Sequence, residues 1–122
     1  LCLPFVAFAI ESDSSITIFF YRPKEYLGSA TAIKISLNGT QIGKLKNGSR
    51  LEFEMNSEGV IKIEGASTSP RAIASYKLQV NKGQDHYIKI FWPTAYSFKI
   101  MELAAVDGAV DYYNPDIYKG KE

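Results

Sequence analysis

The chain of 122 residues has one cysteine and one histidine, Cys2 and His86, so it closes no internal disulfide and offers too few ligands for a Cys–His metal site. It also lacks an excess of either charge, with 14 Lys and Arg against 13 Asp and Glu. Nucleic-acid binders concentrate cations on one face. Here Lys34, Lys44, Lys62, Lys77, Lys89 and Lys99 fall one per predicted strand among apolar neighbours, as on solvated strand faces, and no nucleic-acid partner is expected. No apolar run approaches the ~20 residues that a membrane-spanning helix needs.

A catalytic constellation is missing too. The serines cluster in ESDSS and GASTSP, where turn chemistry accounts for them, and none sits in a nucleophile elbow. His86 is the single imidazole base. It starts a strand in phase with Ile88 and Ile90, which predicts a partly buried ring with one nitrogen satisfied; a pocket joining it to two carboxylates would point to an enzyme instead. Glu52 and Glu54 alternate with Leu51, Phe53 and Met55 and so mark a solvent face. Asp107 and Asp111, with Asp116, lack the dense oxygen-ligand loop of calcium sites. The expectation is a non-enzyme with no cofactor and no metal.

What is plentiful is aromatic and β-branched residues: 8 Tyr and 7 Phe in a chain that is 46% hydrophobic. Such side chains suit a pleated, half-buried surface. From Ser15 the pattern is period two. In ITIFFYR, Ile16, Ile18 and Phe20 face one way and Phe19 and Tyr21 the other, which predicts a central strand covered on both sides. Asn38-Gly39 is the strongest hairpin signal, since both central positions of a type I′ turn need positive φ. In the returning strand TQIGKL, Gly43 between Ile42 and Leu45 predicts a bulge. Asn47-Gly48 gives a second hairpin turn, NSEG a further turn and NKGQ another hairpin, while residues 65–72, GASTSPRA, read as the longest ordered loop. Trp92-Pro93 ends the HYIKIF strand, and residues 96–106 read as a long last strand through the alternation of Tyr96, Phe98 and Ile100, with a helix as the alternative that Phe98, Met101 and Ala105 allow.

Together these predict an all-β, antiparallel β-sandwich of Ig-like or prealbumin-like type, with about eight strands built from hairpins. Residues 10–106 form that domain, and residues 107–122 form a tail with a short helix or turn. Residues 1–9, LCLPFVAFA, read as a signal-peptide remnant through Ala7 and Ala9, with an apolar first strand as the alternative. A lipid anchor at Cys2 is the weaker option there. With a signal remnant or with an anchored Cys2 alike, the expectation is an exported protein, in the periplasm or cell envelope. Both Asn-Gly turns also match glycosylation sequons, which the turns themselves explain.

FFYRPKEYLGSA followed by IKISLNGTQIGKLKNGSRLEFEM resembles a bacterial family of unknown function, DUF2846, over residues 16–103. The resemblance rests on Tyr21-Arg22-Pro23, Gly28-Ser29-Ala30, Asn38-Gly39, Ile42-Gly43, Leu45 and Asn47-Gly48-Ser49. Where many members of the family carry a Pro-Gly turn followed by His, this chain has Ser57-Glu58-Gly59-Val60. The resemblance implies a small envelope-associated β-domain, often exported or lipid-anchored, and no catalytic residues. The function expected is non-catalytic binding of a protein or cell-envelope component. The alternative is a carbohydrate- or peptidoglycan-binding domain stacking sugars on Tyr26, Trp92 and Tyr96, the leading contacts among aromatics that include Tyr112, Tyr113 and Tyr118; the favoured reading of these rings is that they plug the open ends of the sandwich. Arg22, with five donors in a fixed fork, is expected to hold the strand exit by bonding loop carbonyls.

Overall fold

Strand β1 (Ile16–Arg22) organises the molecule. A computed structural model describes residues 15–25, 31–68 and 71–119. Ile16, Ile18 and Phe20 are fully buried on one face of β1, and Phe19 and Tyr21 are buried on the other. A strand buried on both faces must lie inside a sheet. It does: β1 sits between β4 (Ser49–Met55) and β7 (Asp85–Phe91), with β8 (Lys99–Leu103) outside β7. This is sheet I, in the order β4-β1-β7-β8. Sheet II has the order β3-β2-β5-β6, from β2 (Ile33–Leu37), β3 (Thr40–Leu45), β5 (Gly59–Thr68) and β6 (Arg71–Val80).

The two sheets enclose one core, in which Ile18, Phe20, Ile35, Ile63, Ile88 and Ile90 are fully buried. At one edge β3 lies against β4, and at the other β6 lies against β8. The eight-stranded sandwich expected from the alternation is present. Its Asn38-Gly39 hairpin has φ of 49° and 89°, the positive pair a type I′ turn requires. The bulge lies where Gly43 placed it: Ile35 faces Gly43 but Ser36 faces Gln41, leaving Ile42 as the extra residue.

Four local expectations are corrected. The turns at Asn47-Gly48 and residues 81–84 are not hairpins; each carries the chain from one sheet to the other, as does the turn through residues 56–58. One consequence is that the sandwich is not wholly antiparallel. β1 and β7 pair in parallel, with Thr17 opposite Asp85 and Tyr21 opposite Lys89. Residues 65–72 are mostly strand, because β5 and β6 stay paired from Gly59 and Val80 to Thr68 and Arg71. Their small residues serve packing: a Cβ on Gly65 would strike the Phe98 ring.

Residues 96–106 are not one strand. Tyr96 is exposed, only Lys99–Leu103 pairs with β7, and α1 (Ala105–Tyr112) follows. Gly108 and Tyr112, four apart, are its buried residues, so helical spacing takes over as soon as the chain leaves the edge of sheet I. A short 3-10 helix, Pro115–Tyr118, completes the layer over that sheet. Phe19, Tyr21, Tyr87 and Tyr112 form a second apolar cluster beneath it.

Candidate functional site

The Tyr21-Arg22-Pro23 motif is where β1 leaves sheet I. Pro23 has no N–H to extend the ladder, and the chain crosses to sheet II. Arg22 is 1% exposed, and its Nη1 donates to the carbonyls of Thr31 (2.6 Å) and Leu45 (2.8 Å). Burial lowers its pKa, and the nearby Glu25 carboxylate pulls the other way. Glu25 is itself held: its backbone exchanges two hydrogen bonds with the Asn47 side chain, and its carboxylate accepts from the Trp92 N–H at 3.2 Å. Asn47-Gly48 therefore serves the crossing, with Gly48 at φ 72° packed against Lys24 and the Tyr118 carbonyl. This motif is a structural lock.

The aromatic candidates do not form a platform. Trp92 is 3% exposed and tilts against Phe98 at 5.3 Å between ring centroids, so it is core and presents no face to a sugar. That removes Trp92 from the candidate contacts and leaves the favoured reading of this ring: the indole fills the end of the sandwich where its strand stops. Tyr96, in the same loop, is 80% exposed. Tyr26, Gly28 and residues 1–9, including Cys2, lie outside the described residues.

Tyr112 and Tyr118 leave the candidate contacts in the same way, being packed over sheet I. Tyr21 donates to Asp111 (3.0 Å), Tyr112 to Glu52 (3.2 Å) and Tyr118 to the Tyr112 carbonyl (2.8 Å), while the Arg50 guanidinium lies over the Tyr118 ring. Burial raises all three phenol pKa values, to about 12 for Tyr118.

His86 comes closest to a chemical site. It is 6% exposed, and its Nδ1 lies 3.1 Å from Glu102 Oε2, while Tyr76 donates to Glu102 Oε1 at 3.1 Å. An open depression of about 360 Å³ beside it is lined by Asp85 and Glu102 as well as His86. The imidazole thus does meet two acidic residues. Yet its Nε2 is buried without a hydrogen-bond partner among the described residues, and no Ser, Thr, Cys or Lys lines the depression. A general base needs a ring nitrogen within reach of a substrate proton. Here Glu102, an inward-pointing carboxylate on an edge strand, ties Tyr76 of sheet II to His86 of sheet I.

The largest uncovered feature is the outer face of sheet II. Sheet I is roofed by α1 and the 3-10 helix, but no described element covers sheet II. Alternation turns Lys34, Lys44, Lys62, Lys77 and Arg71 outward, against the single carboxylate of Glu64. Lys34 stands directly opposite Lys44, and Lys62 directly opposite Lys77. Like charges directly opposite on one sheet face are destabilising. Among the described residues, Lys62 alone of these cations has a counter-ion on this face, Glu64 at 3.6 Å. The sequence showed one lysine per strand; it did not show that four share a face while Lys89 and Lys99 belong to the other sheet.

No protein-family model and no curated protein matches the chain. Among solved structures it is similar to the NMR structure of a protein from Eubacterium rectale, at 14% identity and a TM-score of 0.52, covering 75% of this chain and 91% of that one. It is also similar to the N-terminal domain of AlgF from P. aeruginosa, at 11% identity and a TM-score of 0.42, covering 75% of this chain and 95% of that one. The first likeness is one of fold alone.

Proposed function

We propose that the protein is a non-catalytic, exported β-sandwich module that binds an anionic component of the cell envelope through the open face of sheet II. The carrying observation is the pair of directly opposed lysine couples on that face, Lys34/Lys44 and Lys62/Lys77. Such pairs cost stability in the free protein, and an anionic partner relieves the cost on binding. Export is supported by the apolar LCLPFVAFA stretch and by the resemblance to DUF2846. The buried Nε2 of His86 and the absence of a nucleophile beside it support the non-catalytic reading. Among the described residues no helix is long and apolar enough to cross a membrane.

The test is capture from envelope extract by the immobilised protein at low and high ionic strength, with Lys62→Glu/Lys77→Glu alongside. An envelope component should be retained at low salt, released at high salt and missed by the variant. Equal capture by the variant refutes the proposal. Capture of a neutral glycan, unaffected by the lysine changes and lost in Tyr96→Ala, would put the sugar-stacking alternative in its place.

A further inference from the structure

We propose that the anionic component is a bilayer surface carrying anionic headgroups, on which sheet II lies flat. This rests on the reading of the basic face given above and names its partner. The charges of this face form a two-dimensional field. Register places Lys34 opposite Lys44 and also opposite Ala66, which in turn faces Ile73. Arg71 lies one same-face step beyond that row on β6, and Lys62 and Lys77 lie two steps the other way. With ~4.8 Å between strands and about 6.8 Å between same-face residues, the cations spread over roughly 14 Å by 20 Å. A linear polyanion follows one line across such a field, and the diagonal joining Lys44 to Lys77 passes the carboxylate of Glu64. A planar array of headgroups meets all the cations at once.

Apolar side chains stand among those cations. Ile73 is 69% exposed and Val60 is 60% exposed, both outward on this face. Ile73 and Ala66 line a depression of about 310 Å³ with Lys34, Thr68 and Arg71. A soluble polyanion gives Ile73 nothing to bury against. At a bilayer surface an aliphatic side chain enters the headgroup–acyl boundary, while lysine stems lie along it and their ammonium groups reach the phosphates.

Charge elsewhere sets the orientation. The chain's net charge is only +1, so the excess of cations on this face is not a property of the sequence as a whole. On the sheet I side Glu52, Glu54, Asp107 and Asp111 accompany Arg50, Lys89 and Lys99. An anionic surface therefore attracts the sheet II face over the sheet I side.

The experiment is co-sedimentation of the purified protein with phosphatidylcholine vesicles, with and without phosphatidylglycerol, at low salt, and a parallel titration with dextran sulfate. Binding is expected only with phosphatidylglycerol present, and each lysine neutralised should weaken it about five-fold, so Lys62→Gln/Lys77→Gln loses about 25-fold. Ile73→Ser leaves the charge unchanged and should weaken vesicle binding while sparing dextran sulfate; circular dichroism verifies that each variant is folded. Binding to dextran sulfate without binding to the vesicles overturns the membrane inference and leaves the basic face as a binding surface. Failure with both polyanions overturns both readings. Vesicle binding that survives Lys62→Gln/Lys77→Gln undiminished also overturns the inference.

Discussion

Replacing Arg22 by alanine should destabilise the protein more than any surface change. The guanidinium is 1% exposed and donates to two carbonyls, Thr31 O and Leu45 O, beside the Ile33–Leu45 pair where β2 and β3 adjoin. Hydrogen bonds from a charged donor contribute about 1.5–3 kcal/mol each, and a buried carbonyl left without a donor costs about 1–3 kcal/mol. The deleted stem also leaves a cavity. Against these stands the relief of no longer burying a charge, which burial already disfavours. The balance is a loss of about 3–5 kcal/mol, the range for breaking one side of a buried charged contact. A domain of this kind holds only about 5–15 kcal/mol in total. Urea unfolding, followed by far-ultraviolet circular dichroism and by the fluorescence of the single buried Trp92, measures the change. Arg22→Lys should fall between, since one ammonium does not reproduce the planar fork. An Arg22→Ala midpoint corresponding to less than about 0.5 kcal/mol, the scale of an ordinary surface substitution, would refute the lock. So would a fully stable variant that has lost binding, because Arg22 would then belong to the binding surface.

Two further outcomes test the layer over sheet I. Gly108→Ala places a better helix former in α1, worth about 1 kcal/mol in an isolated helix. Its Cβ would collide with the Tyr87 side chain, so the net effect should be a loss of about 1–3 kcal/mol, and any rise in thermal midpoint would show that α1 is not seated as described. Alkaline pH should unfold the protein through Tyr21, Tyr112 and Tyr118. Their folded pKa values lie above the ordinary 10.0, so the unfolded chain releases these protons first; the stabilisation is complete below pH 10 and drains as pH rises through the folded values, about 12 for Tyr118. The part of the phenolate absorbance that is lost in Tyr21→Phe should therefore rise together with loss of circular dichroism, and Tyr21→Phe should flatten the fall of stability above pH 10. That part appearing while the fold is intact would contradict this.

The parts of the fold that were legible in the sequence are those set by a local pattern. Ile16 to Tyr21 showed a doubly buried strand, Asn38-Gly39 a type I′ turn and Gly43 a bulge, because alternation and turn chemistry act within a few residues. Which sheet a strand joins is decided elsewhere. Asn47-Gly48 has the composition of a hairpin turn, yet Asn47 bonds the Glu25 backbone and the following strand pairs with β1. The start of the helix at Ala105 was hidden by Tyr96, Phe98 and Ile100, whose alternation runs up to an edge that only pairing with β7 defines. Trp92 illustrates a different limit: a ring beside a proline at a strand end faces solvent or plugs the sandwich according to what lies opposite, here Phe98.

The surface charges follow the same logic. Period-two alternation says that a lysine points away from the core, and that much could be read for Lys34, Lys44, Lys62 and Lys77. Whether outward means solvent or the underside of another layer depends on where the chain's last residues pack. Tyr87 and Tyr112 draw α1 onto sheet I, since a helix with Gly108 and Tyr112 on one side needs an aromatic seat, and sheet I supplies one through Phe19, Tyr21 and Tyr87. Sheet II has no such seat: its outer positions are Lys, Ser, Gln, Glu and Thr, with Ile73 and Val60 as the exposed large apolar side chains. The composition that keeps α1 off sheet II is the one that leaves its cations uncovered by any described element, so closing one side of the sandwich with α1 and leaving the other without it are a single consequence of how these strands alternate.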